Sequence, residues 1–288
     1  MAADFGVFVT ILTGLLLEAM PFLLAGSVAS GFVEVFLKRE HVEGFARRRL
    51  GHHVVFGVLL GMVIPVCECG VIPLARRLLG KGFPAAAAVS FILAAPAINP
   101  VTLASTATAF GIGKVFFLRI LMTAATSWLV AIVVVRLHPA LSREDELPGC
   151  VVSGRGVMDA LRHAGGDFVE MAGYLVLGAA VAAAMQTVVA REMVLAIGQG
   201  PVSSVLAMQA LAFVLSLCST VDSFIALALA GTFKTGALVA FLVFGPMVDI
   251  KSTAMLLGTF RRRAVLLMVA ACFGLSLLFG VLTNLLVP

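Results

Sequence analysis

The chain has 288 residues, 61% of them apolar and 12% charged, with a net charge of +5 and a mean hydropathy of +1.12. A soluble globular protein carries about twice that share of charge, and a transmembrane β-barrel shows short alternating segments instead of long apolar runs, so both are excluded. The basic excess marks loops on one face of a membrane and is no sign of nucleic-acid binding.

Eight apolar segments follow one another, at 8–37, 53–79, 84–110, 115–136, 168–190, 201–231, 235–259 and 264–287. A bilayer span needs about 20 such residues. The first segment lacks a basic n-region and runs too far for a signal peptide, so it is read as a helix. The second contains "PVCECGVIP", from Pro65 to Pro73, followed by Arg76, Arg77 and Lys81. The third is interrupted at "AAPAINP", which holds Pro96, Asn99 and Pro100; the fourth is unbroken and carries Trp128, read as a lipid or packing residue. A polar stretch at 137–166, with "SREDELPG" and Cys150, is expected to be the connecting loop. Beyond it the sixth segment breaks at "LCSTVDS" (Cys218, Ser219, Thr220, Asp222) and the seventh at "FGPMVDI" (Pro246, Asp249), one residue before Lys251.

These breaks repeat. Glu18, Phe22 and Gly26 match Glu170, Tyr174 and Gly178 at an offset of 152; Cys67 falls opposite Cys218 at 151; Phe91, Pro96 and Asn99 match Phe241, Pro246 and Asp249 at 150. The chain therefore divides into a first membrane repeat (1–136), the polar connection (137–166) and a second repeat (167–288), an arrangement typical of secondary transporters with a site at the repeat interface.

The basic residues bear on the number of spans. If all eight segments cross, Lys and Arg split 11 against 8, with Lys251 left in the bilayer. If 53–79 and 201–231 are re-entrant hairpins, the split is 15 against 4, the smaller group being Lys114, Arg119, Arg191 and Lys234. The second division has the asymmetry of cytoplasmic against external loops. The expected fold is all-α and polytopic, with two inverted repeats of three spans plus one re-entrant hairpin each and both termini outside. The alternative is eight full spans in 4+4 parallel repeats.

Proline removes a backbone donor and disfavours helix in the residue before it, and non-helical backbone survives at membrane depth only where protein or water satisfies it. Breaks at Pro65, Pro73, Pro96, Pro100 and Pro246 therefore point to a shared polar cavity lined by Cys67, Glu68, Cys69, Asn99, Cys218, Ser219, Thr220, Asp222, Asp249 and Lys251. Thiols are soft ligands for Cu(I), Zn(II) and other thiophilic species, so Cys67 and Cys69, with Cys218 as a third, are candidate metal or metalloid ligands. Intramembrane acids serve ion and proton pathways, and Asp249 with Lys251 is also read as a structural ion pair. Glu18 and Glu170 are read first as caps or hydrogen-bonding partners of a broken segment. His41, His52 and His53 are read as solvated, Arg261–Arg263 as a topology anchor and Cys272 as a core thiol.

At "PVCECGVIPLARRLLGKGFP", "AAPAINPVTLAST" and "LCSTVDSFIA" the sequence resembles the bacterial predicted-permease family that includes the ArsP-type organoarsenical efflux permeases. The resemblance covers nearly the whole chain. It implies a multi-pass permease of the bacterial inner membrane, with trivalent organoarsenicals exported by some members, and is usually drawn with eight spans. No P-loop occurs, so ATP would need a separate subunit; a secondary transporter is expected, not an enzyme, and without a cofactor. Its expected partners are the bilayer and a small thiophilic substrate or ion. Two readings compete with arsenical export. One is Zn(II) or Cu(I) transport, with or without a soluble partner protein. The other is a thiol–disulfide electron carrier cycling Cys67 or Cys69 with Cys218.

Overall fold

The computed structural model describes residues 2–37, 49–138, 156–188 and 200–286. The readings placed on His41, Cys150 and Arg191 lie outside them, as do Lys38, Arg39, Arg47, Arg48, Arg143 and Arg155, six of the 15 basic residues of the larger group. The described residues form twelve α-helices and no sheet.

In the first half these are α1 (Ala2–Phe36), α2 (Leu50–Val63), α3 (Glu68–Gly80), α4 (Ala85–Ile98), α5 (Pro100–Phe110) and α6 (Lys114–Leu137). The second half follows the same order with α7 (Val157–Val188), α8 (Ser203–Leu215), α9 (Asp222–Leu229), α10 (Thr235–Met247), α11 (Ile250–Thr259) and α12 (Arg262–Leu286). Helix α7 begins inside the segment read as a polar connection.

Six stretches are long and apolar enough to cross a membrane, three in each half: Phe5–Phe36, Ala85–Phe110, Lys114–Leu137, Val157–Thr187, Thr235–Thr259 and Arg262–Leu286. The protein is an all-helical multi-pass membrane protein. Ala85–Phe110 (α4 with α5) and Thr235–Thr259 (α10 with α11) are mostly buried, whereas the other four keep most of their surface outward. Helices α2 and α8, of 14 and 13 residues, are about 20 Å long at ~1.5 Å per residue, too short for a ~30 Å hydrocarbon layer.

The path of α2 and α3 follows from three contacts. Gly57 on α2 meets Ala87 and Ser90 on α4, and Gly61 meets Ala94 and Ala95, so α2 and α4 run in the same direction side by side. The chain must therefore return between them, and Phe83 after α3 comes back to Phe56, ring centroids 6.2 Å apart. At the tip of this hairpin, Val66 O accepts from Asn99 Nδ2 at 3.1 Å, level with the junction of α4 and α5. The second half repeats the plan. Asn284 ties Gly236 at the start of α10 to Pro201 and Ser204 before and on α8, Gly245 lies by Ala212 further along, and Ser216 Oγ at the tip accepts from Ile250 N.

Helices α1 and α7 pack along each other, carrying α3 and α11 on their flanks. Two glycines of the repeat make this approach. A Cβ at Gly26 would overlap the backbone of Gly70 on α3, and one at Gly178 would lie 2.9 Å from Lys251 Cα on α11. Further along α3, Arg77 donates to Asp167 at 2.6 and 3.0 Å, Lys81 pairs with Glu34 at 3.1 Å, and Arg76 with Glu170 at 2.8 Å. Glu170 is therefore a bonding partner of the first broken segment, through Arg76 on the returning arm of the hairpin, and not the cap of its helix.

Candidate functional site

The break before α3 is short. Ile64, placed before Pro65, is extended (φ −87°, ψ 116°), as the proline ring requires, and the chain stays out of the helix through Cys67. Cys67 is the N-cap of α3 with φ −87°, ψ 176°, so Glu68 and Cys69 form its first turn. All three are buried, and the thiols of Cys67 and Cys69 lie within hydrogen-bonding reach of each other.

Opposite them stands the start of α11. Asp249 caps it, accepting from Ser252 N at 2.6 Å while its own N–H donates to Ser252 Oγ at 3.0 Å. Lys251 is 1% exposed and reaches across, its Nζ 3.6 Å from Glu68 Oε1 and 3.9 Å from Asp249 Oδ2. Both separations exceed a hydrogen bond. Glu68 Oε2 and Asp249 Oδ2 are buried with no hydrogen-bond partner. Native structures leave few such groups, and a water, an ion or a ligand is one way in which such a set is completed. Glu18 on α1 and the Cys218 thiol lie in the same electrostatic neighbourhood, with Thr220 Oγ1 donating to Cys218 Sγ at 3.5 Å.

A second polar cluster lies where α9 meets α5 and α6. Arg119 is fully buried and donates to Ala97 O (2.9 Å), Thr106 Oγ1 (2.9 Å), Ser223 Oγ (3.0 Å) and both carboxylate oxygens of Asp222 (3.2 and 2.9 Å). Thr102 Oγ1 donates to Ser219 Oγ at 3.2 Å, Thr106 and Ser223 hydroxyls meet at 3.1 Å, and Ser105 donates to the Thr220 carbonyl. Asn99 sits beside this cluster as a cap. Its Oδ1 accepts from Thr102 N at 2.8 Å, and its Nδ2 donates to Ala95 O as well as to Val66 O.

The expected cavity residues thus fall into two groups. Cys67, Glu68, Cys69, Asp249 and Lys251 come together, with Cys218 near them. Asp222 and Ser219 turn instead toward Arg119, Thr102 and Thr106, and Thr220 bridges the groups through its hydroxyl and its carbonyl. Arg119 was counted among the loop cations of one face; its burial against Asp222 removes it from that count. A signal lay in the sequence: Arg119, Thr123 and Thr126 recur at helical spacing, and an intramembrane Asp222 requires a cation.

The prolines also need correction. Pro73 lies inside α3, and Pro96 and Pro246 lie in the last turns of α4 and α10. The breaks themselves fall at residues 64–67, at Asn99 and at Val248–Asp249, while Pro100 opens α5, where a missing N–H costs nothing. His52 is exposed but His53 is buried. Cys67, Cys69, Cys218 and Cys272 are free thiols, Cys272 within α12. Among the described residues no three His, Cys, Asp or Glu side chains converge to hold a metal ion, so Cys67, Cys69 and Cys218 do not form a three-ligand set in this conformation.

Comparison with known proteins gives the family. The profile of a family described as "Predicted permease" matches residues 4–285. The UPF0718 protein YcgR of Bacillus subtilis (strain 168) is 44% identical over 268 residues, covering 90% of this chain and 91% of that protein. A Streptococcus mutans protein, whose name is that of a subunit of a two-component membrane permease complex, is 35% identical over 266 residues, covering 89% of this chain and 88% of its own. No solved structure matches.

Proposed function

We propose, since the chain belongs to the predicted-permease family and is a membrane permease, that it carries a small thiophilic species bound by Cys67 and Cys69, by alternating access between two inverted repeats. The observation that carries this reading is the tip of the first hairpin, where two thiols adjoin the incomplete Glu68–Lys251–Asp249 set at the centre of the helical assembly.

The inversion is supported by direction. Residues 102, 105 and 106 of α5 pair in order with 219, 220 and 223, so α5 leaves the mid-depth break alongside α9. Helix α5 leads away from the base of the first hairpin and α9 leads to the base of the second. The two bases therefore lie on opposite sides. Arg76, Arg77 and Lys81 put the first on the cytoplasmic face. The plane of the breaks is then the plane of the site. A cysteine replacing Gly80, exposed and with open space around it, is expected to react with impermeant maleimide only from the cytoplasmic side. Labelling from outside would overturn this topology.

Two thiols without a third suit a trivalent methylarsenical, whose carbon already fills one of three positions on arsenic, better than Zn(II), which takes four ligands in a closed site. The exchange balances as CH3As(OH)2 plus two thiols giving CH3As(SR)2 and two waters. Two As–O bonds are replaced by two As–S bonds, each thiol proton leaves with a hydroxide, and nothing is oxidised. Glu68 Oε2 and Asp249 Oδ2 would accept hydrogen bonds from the incoming hydroxyls. The name of the Streptococcus mutans relative adds a second subunit to this reading.

Uptake into everted membrane vesicles tests it, with trivalent methylarsenical, arsenite, Zn(II) and Cu(I) compared in wild type and in Cys67→Ser/Cys69→Ser. Methylarsenical uptake is expected in wild type and to be lost in the double variant. Equal transport of every substrate by both proteins would refute a thiol site. Loss of Zn(II) or Cu(I) uptake alone would transfer the site to a metal cargo.

A further inference from the structure

The two hairpin tips join the opposite half in unequal ways. Where α9 meets α5, the contact is complete. Thr102, Ser105 and Thr106 meet Ser219, the Thr220 carbonyl and Ser223 in turn, and Arg119 closes the set with five hydrogen bonds, two of them to Asp222. Where α3 meets α11, residues 67–69 and 249–251 are joined by one ion pair at 3.6 Å and, among the described residues, by no hydrogen bond. Two carboxylate oxygens there are left without partners.

Opening the first contact would strip the buried Arg119 guanidinium of three of its five hydrogen bonds and separate it from the buried Asp222 carboxylate, its counter-charge, and unpaired buried charge is strongly disfavoured. Opening the second breaks one long ion pair and gives two orphaned oxygens access to water, which improves their position. The packing agrees. Arg119 links α4, α5, α6 and α9 through Ala97, Thr106 and Asp222, whereas the tip of α3 rests on α1 through the smooth contact of Gly26 with Gly70.

We infer that the α5–α9 junction stays shut while the α3–α11 junction opens, so the permease works with one fixed and one moving hairpin, and Arg119 is the positioning residue that fixes the first. The inference rests on the proposed function only in placing the site at the α3 tip; it holds for any substrate. This departs from a symmetric exchange in which the two tips alternate.

The test needs no transported substrate. Thr106→Cys/Ser223→Cys replaces two hydroxyls 3.1 Å apart, close enough for a disulfide after small adjustment. The protein is reconstituted in lipid nanodiscs, oxidised or reduced, and peptide mapping verifies both the new disulfide and that Cys67 and Cys69 remain thiols. Alkylation of Cys67 and Cys69 by N-ethylmaleimide is then followed by mass spectrometry. Rates that agree within threefold between the two forms are expected, because the moving tip does not need the fixed one. A larger slowing in the oxidised form would overturn the inference, since it would mean that the tips open together. The reduced form of the same protein serves as the folding control. As a second measure, Ser223→Cys alone is expected to react at least tenfold more slowly than Cys67, and equal reactivity would also overturn it. Should Cys67→Ser/Cys69→Ser leave transport intact, the proposed substrate site fails while these rates still decide the fixed hairpin.

Discussion

Asp222→Asn is the sharpest probe of how the second half is held. Asp222 is the counter-charge of an arginine with no exposure to solvent, and both its oxygens receive guanidinium hydrogens, at 3.2 and 2.9 Å. Replacing the carboxylate with an amide leaves the arginine buried and charged. Removing one partner of such a pair costs about 3–5 kcal/mol. For a chain of this size 1 kcal/mol corresponds to roughly 2 °C in Tm, so a loss of about 6–10 °C is expected. Arg119→Met alone should cost a similar amount, because it strands Asp222. The double variant Arg119→Met/Asp222→Leu removes both charges and fills the space with apolar atoms, a change that is often neutral or stabilising by about 1–4 kcal/mol. It should recover most of the loss despite the unpaired Ala97 carbonyl. Thermal unfolding in a mild detergent, with the four proteins as a double-mutant cycle, gives the coupling directly. Single variants that melt with wild type, or a double variant as damaged as the sum of the singles, would refute the reasoning.

Two further changes have definite expected outcomes. Gly26→Ala would drive a methyl group into the Gly70 backbone and should cost about 1–3 kcal/mol by overpacking, whereas Gly173→Ala, with open space at its Cα, should be neutral or gain up to ~1 kcal/mol of helix propensity; melting temperatures of the pair check this. Asn99→Ala loses the cap of α5 and the bond to Val66, about 1–2 kcal/mol, with faster amide exchange at Thr102 in hydrogen-exchange mass spectrometry, and unchanged exchange there would remove the capping role.

The sequence carried the six long spans and the mid-span breaks, because these depend on local hydropathy and on the conformational limits of proline. The partition of the polar residues was not legible. Asp222 and Arg119 are 103 residues apart in sequence and meet only through the packing of α9 on α5, where the Arg119 side chain reaches across from α6. Arg119, five residues into its helix, reads as an end-of-span cation until that packing is known. Likewise Asn99 and Asp249 stand at equivalent repeat positions and share the capping task, but only Asp249 adds a charge beside Lys251. Pro96 and Pro246 signalled interruptions that fall a few residues later, where Asn99 and Val248 leave the helix.

The caps at Asn99 and Asp249 have one more consequence. The two interrupted spans satisfy their own broken backbone, by Thr102 N on Asn99 and by the reciprocal bonds of Asp249 and Ser252, so these two interruptions are preorganised before any cargo arrives. Association then spends little on ordering the main chain at these two breaks. Loading should leave helix content and the far-ultraviolet circular dichroism spectrum unchanged, and the whole of the cargo's differential affinity is free to shift the balance between two arrangements of already formed helices.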